Sequence, residues 1–136
     1  MSYVDGYLIP LETSKIEEYI SFSRHVAEVY REHGAMRVVD CQLDRTVVND
    51  AEFHAEQARQ DLDAEGTPLR DFETAAATQS GETVILSWTE WPSKEARDIG
   101  LAKALADPRI QPKEGEKMLF EGRRLIAGGF LKLIDV

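Results

Sequence analysis

Thr83-Val84-Ile85-Leu86-Ser87-Trp88-Thr89-Glu90-Trp91, followed at once by Pro92-Ser93, is the stretch that decides the fold. Its first nine residues are β-branched, aromatic and apolar, a composition that suits a pleated, half-buried strand. Pro92 stops that strand, and Ser93 stands where it can cap a helix, with Glu95 favourably set in the first turn. The helix ends at Asp107 because Pro108 follows. Ala96, Gly100 and Ala104 fall four apart along it, and side chains that small let a helix lie close to a sheet. The unit reads as strand, corner, helix.

Toward the N-terminus, Arg70 to Thr78 reads as a strand forming a hairpin with Thr83–Trp91 across Ser80-Gly81-Glu82. The connection from Asp44 to Leu69 is too long for a simple turn. Asn49-x-x-Glu52 predicts the cap of a helix reaching Glu65, with a thin apolar stripe of Ala51, Ala55, Ala58 and Leu62. Ala35 to Leu43 is a strand in which Met36, Val38 and Asp40 alternate with Arg37, Val39 and Cys41. Before it, Ser14-Lys15-Ile16-Glu17 has capping-box spacing, and Ile16, Tyr19, Ile20, Val26, Ala27 and Tyr30 recur at helical intervals until Gly34. Tyr3 to Pro10 is the first strand, with Tyr3, Asp5, Tyr7 and Ile9 on one face and Val4, Gly6 and Leu8 on the other. Past the second helix, Arg109 to Glu121 is irregular. Arg123 to Ile134 closes the chain as a strand whose Gly128-Gly129 marks a bulge or a close backbone approach.

The order strand, helix, strand, then hairpin, helix, strand predicts an α+β fold of ferredoxin-like type. It has one antiparallel sheet, its first and third core strands adjacent in the middle, and two long helices on one face. At 136 residues and 43% hydrophobic, residues 1–136 form one domain with an inserted, helical connection at about 45–68. Cys41 is the only cysteine, so no intrachain disulfide forms and no zinc or redox pair exists, which suits a reducing cytoplasm. No apolar run has membrane-spanning length and the N-terminus carries no export signal. The net charge of −9 repels phosphate backbones, so nucleic acid is not an expected partner.

Several stretches coincide with one pattern: Tyr3-Val4-Asp5-Gly6, Gly34-Ala35-x-Arg37, Cys41, Ser87-Trp88-x-Glu90-x-Pro92-Ser93-Lys94, Arg97-Asp98, Asp107-Pro108-Arg109 and Gly128-Gly129-Phe130. Together they resemble the YbaA-like family of uncharacterised bacterial proteins, with the segment from about Arg45 to Pro68 departing from it. That family is similar to the dimeric α+β barrel group, in which two ferredoxin-like sheets face each other across a two-fold axis. The resemblance implies a homodimer and brings no activity with it.

On the expected topology Asp5, Arg37 and Glu90 approach the same edge of the sheet. Two carboxylates with a guanidinium bind a polar small molecule, or hold one carboxyl at a raised pKa for proton transfer. The plainer reading is a network that braces the sheet. Trp88 and Tyr7, with Trp91 and Tyr3, line a ligand cavity between facing sheets or simply pack the core. His25, His33 and His54 are not at chelating spacings, so no metal site is expected, and no cofactor fingerprint is present. Cys41 reads as a buried small apolar residue. Three functions follow from these residues: a binder of a small organic molecule in the cleft at Asp5, Arg37, Glu90, Trp88 and Tyr7; a cofactor-independent oxygenase or isomerase using the same cleft with Asp5 or Glu90 as base; and an interaction protein without a pocket.

Overall fold

The computed structural model describes residues 1–46, 53, 55–58, 60 and 70–136. Four strands make one antiparallel sheet: β1 (Tyr3–Glu12), β2 (Arg37–Gln42), β3 (Glu82–Trp91) and β4 (Ile126–Leu131), in the order β2-β3-β1-β4. The expected central pairing of the first and third core strands is present, running from Tyr3 opposite Trp91 to Glu12 opposite Glu82. Two long helices, α1 (Ile16–Glu32) and, beyond a short helix α2 (Phe72–Ala76), α3 (Lys94–Ala106), pack on one face. The fold is therefore α+β, as the order of segments implied.

Strand parity divides the sheet. Odd-numbered residues of β1 and β3 point to the helices, and their core is Ile9, Leu11 and Ile85 with Tyr19 of α1, joined by Tyr7, Ile16, Phe120 and Leu125. Burying side chains of this size contributes roughly 1.5–3 kcal/mol each. Trp91 is fully buried on the same side, its ring 6.2 Å from that of Tyr30. The close approach of α3 is real: a Cβ on Gly100 would lie 2.3 Å from the His33 carbonyl oxygen and 2.5 Å from the Trp91 ring. Glycine is therefore required there by space rather than by backbone angle.

The helix ends follow local chemistry, with one departure from expectation. Ser93 caps α3, its hydroxyl accepting from the Ala96 N–H at 3.0 Å. The capping box at Ser14 does not form. Ser14 sits in a 3₁₀ turn, Thr13–Lys15, and α1 begins after Lys15 with no side-chain cap, leaving Glu17 and Glu18 to favour its N-terminal dipole. Gly34, at φ +108°, ends α1 in a conformation that glycine adopts without strain.

The expected hairpin of Arg70–Thr78 with β3 is corrected: this segment holds α2 instead. Asp71 caps it by accepting from the Thr74 N–H at 2.7 Å, and Ala75-Ala76 propagate it until Ala77 turns left-handed at φ +53°. The partners of β3 are β1 and β2, so the sheet is completed without that hairpin. Glu82, where β3 opens, accepts both terminal nitrogens of Arg124, at 2.8 and 2.7 Å, and the Gln79 N–H at 2.7 Å. This clamp ties the 3₁₀ turn Gly122–Arg124, just before β4, to the start of the central strand. The last strand is shorter than the predicted 123–134 because that turn precedes it. Most of the helix expected between Asn49 and Glu65 lies outside the described residues; residues 56–58 and 60 are helical.

Candidate functional site

Even-numbered residues of β1, β3 and β4 point away from the long helices together with odd-numbered residues of β2, and register arranges them in three rows across four strands. The first row is Phe130, Val4, Glu90 and Arg37; the second is Gly128, Gly6, Trp88 and Val39; the third is Ile126, Leu8, Leu86 and Cys41. Beyond them Pro10 and Val84 are buried, and Phe72 of α2 joins Val84, Leu86 and Cys41 around a small groove of about 200 Å³. No other element among the described residues packs on the rest of this face, where Leu86, Ile126 and Phe130 are 39, 45 and 58% exposed. Gly6 and Gly128, paired across β1 and β4, leave a dip that the Phe130 ring crosses, 3.1 Å from where a Gly6 Cβ would stand.

The polar end of this apolar face is built on Glu90. Its side chain is only 13% exposed, yet one oxygen lies 2.7 Å from Arg37 Nε and accepts from Trp88 Nε1 at 3.2 Å, while the other accepts from Lys132 Nζ at 3.0 Å. Burial pushes the carboxyl pKa up, but the bonds from Lys132 and Trp88 and the charges of Arg37 and Lys132 outweigh it. The net result lies below the usual carboxylate range, opposite to the raised value that proton transfer would exploit. Glu90 is thus a fixed anion between two cations. Lys132 is correspondingly held protonated by Glu90 and then by Asp135. The Arg37 side chain is 61% exposed, the most exposed member of this cluster.

Asp5 does not join this cluster. It lies at the same end of the sheet but on the helix face, opposite Thr89, and is 3% exposed. Its carboxylate accepts from Trp91 Nε1 at 3.0 Å and from Arg97 Nε at 3.0 and 3.1 Å. Arg97 in turn lies 5.7 Å over the Tyr3 ring. The expected cleft of two carboxylates is corrected: the thickness of the sheet separates Asp5 from Glu90, and the Asp5 group braces α3 against β1. Tyr7 is also on the helix face, its hydroxyl pKa pushed well up by burial and then by the charges of Tyr30 and Asp5. Trp88, Arg37 and Glu90 are the predicted residues that the fold brings together.

Three further placements complete the picture. Cys41 is exposed in the third row rather than buried, because β2 is an edge strand and no strand among the described residues pairs with its open side. His25 lies 2.9 Å from the Arg109 carbonyl oxygen, and His33 lies 3.0 Å from Asp107. Asp107 also accepts from Arg109, which reaches on to Glu32 at 2.6 Å, so Asp107-Pro108-Arg109 ties the C-terminal ends of α1 and α3 together. His54 lies outside the described residues, among which no cluster of metal-ligating side chains occurs. Sequence reasoning missed Lys132 and the Asp5–Arg97 pair. Parity was the signal for the first, since Lys132 follows Phe130 by two residues and lands on the same face.

No helix among the described residues is long and apolar enough to cross a membrane. The chain is 33% identical over 135 residues to the uncharacterised protein YbaA of Escherichia coli K12, covering 99% of each chain. The same identity and coverage hold for the YbaA protein of Shigella flexneri. The family described as "Protein of unknown function (DUF1428)" matches residues 2–122, passing through the central segment that had looked divergent. The chain belongs to this YbaA-like family.

Proposed function

We propose that the protein is a ferredoxin-like subunit of a dimeric α+β barrel, and that it binds a small organic molecule between the open sheet faces of two copies. One observation carries this reading: an apolar face of three rows, with a half-buried and fully ion-paired carboxylate at one end, is left uncovered by the described residues while both long helices serve the other face. The antiparallel order β2-β3-β1-β4 supports the ferredoxin-like part of it. An exposed apolar patch of this kind marks an interaction surface in a soluble chain. Ligand sites take the same form, an apolar lining with a few convergent polar groups. The ligand suited to it is largely apolar with one polar group set against Arg37. A cytoplasmic location belongs to the same reading, because the exposed Cys41 thiol stays reduced there. Binding is favoured over an oxygenase or isomerase using Glu90 as base, since Glu90 is already committed to three donors.

Sedimentation at micromolar concentration tests the pairing. Leu86→Glu, which adds a charge at a solvent-exposed position in the third row of the face, is expected to give a folded monomer where the parent chain gives a dimer. A monomeric parent chain sinks the pairing. A thermal-shift screen of small organic acids tests binding, with Arg37→Ala as control; a shift that survives this substitution unchanged argues against the site.

A further inference from the structure

We infer that the segment Lys132–Val136 is an arm that crosses to the second copy and completes the paired-face interface. The inference rests on the face-to-face pairing proposed above and adds the residues that make it stable. Among the described residues, six of the sixteen large apolar side chains left exposed fall between Ile126 and Val136: Ile126, Phe130, Leu131, Leu133, Ile134 and Val136. Leu133 and Ile134 are 88 and 76% exposed, so beyond Lys132 the segment's apolar side chains remain largely open to solvent. Its root, in contrast, is fixed. The Lys132 N–H donates to the Ser2 carbonyl oxygen at 3.1 Å, continuing the β4–β1 pairing, and its ammonium binds both Glu90 and Asp135. An apolar segment anchored at Lys132, beside the polar end of that face, starts within reach of whatever covers the face.

Size argues for the same occupant. Four strands about 4.8 Å apart and three rows about 6.8 Å apart give a face on the order of 400 Å² in plan. A specific, stable interface buries about 800 Å² per partner. The rows alone therefore fall short; Phe72, 49% exposed beside Leu86, adds a little, and the unburied segment offers a larger apolar surface to supply the rest. It also reaches. Five residues span about 16 Å when extended, whereas packed sheets stand about 10 Å apart.

The test uses the full chain with Leu133 replaced by a benzophenone-bearing amino acid, together with a variant that stops at Lys132. Irradiation of the full chain is expected to give a covalent species of twice the mass. The shortened chain, with near-UV circular dichroism unchanged, is expected to dimerise at least ten-fold more weakly by sedimentation. A parent dimer whose cross-links are all intrachain, or whose dissociation constant is unaffected by the shortening, overturns the arm while leaving the paired faces standing. A parent chain that is monomeric removes the paired faces and the arm with them.

Discussion

Replacing Glu82 with Gln isolates the clamp that joins the turn before β4 to the start of β3. The Glu82 carboxyl is held down to about 2 from an ordinary 4.5, first by its bonds from Arg124, against the opposing effect of burial, with the Gln79 N–H assisting. Its side chain is 8% exposed, so water screens the pair little. Gln has the shape of the neutral acid, so the substitution costs what protonation costs: about 3 kcal/mol at 1.36 kcal/mol per pKa unit. The sign with pH follows from the direction of the shift. A depressed carboxylate contributes in full above its unfolded value near 4.5, and the contribution is lost as pH falls through about 2. At pH 3 only about 1 kcal/mol remains. Urea denaturation of parent and variant at pH 7 and pH 3 measures both quantities, and the thermal midpoint at pH 7 is expected to fall by roughly 10 °C. A stability difference that is the same at the two pH values refutes the assignment, as does one below about 1 kcal/mol at pH 7.

Gly100→Ala is expected to destabilise by about 1–3 kcal/mol, since the added methyl must push α3 away from the His33 carbonyl and the Trp91 ring; near-UV circular dichroism and denaturant titration report the loss, and an unchanged midpoint contradicts the close approach. Asp5→Asn keeps an acceptor for Trp91 but leaves the Arg97 guanidinium without its buried anion, at a cost of about 2–3 kcal/mol. Arg97→Met in that background is expected to recover part of the loss in a double-mutant cycle, and strict additivity would show that the two side chains are uncoupled. The Cys41 thiol is expected to react with Ellman's reagent more slowly as protein concentration rises through the dimer range, because the third row is then covered. A rate independent of concentration counts against the paired faces.

The unit from Thr83 to Pro108 was legible because each signal in it is local: the strand composition, the Ser93 cap and the proline after Asp107. Arg70–Thr78 was misread for the opposite reason. Its strand assignment leaned on the neighbouring strand as a hairpin partner, while Asp71 as cap and the run Ala75-Ala76-Ala77 pointed to a helical turn. For the site, alternation within β1 grouped Asp5 with Tyr3, Tyr7 and Ile9, but which face of β1 matches which face of β3 depends on register. Register is a property of pairs, set here by Tyr3 opposite Trp91. It put Asp5 under the helices and Glu90 on the open side. Cys41 was misjudged because a strand pattern does not announce that its strand will be an edge.

The central position of β1 has a cost in time. Sixty-nine residues lie between the end of β1 at Glu12 and the start of β3 at Glu82, and the β4 partner comes later still. At a synthesis rate of about 5–20 residues per second, the first strand made waits on the order of 4–14 s for its first partner. During that interval Tyr-Val-Asp-Gly-Tyr-Leu-Ile-Pro-Leu is an unpaired apolar strand, the kind of segment that joins other nascent chains. Asp5, Gly6 and Pro10 interrupt its apolar run at intervals too short for an uninterrupted sticky hexapeptide. In the finished fold Asp5 braces, Gly6 makes room and Pro10 packs; on the ribosome the same three residues break the apolar run that would otherwise favour pairing before β3 arrives.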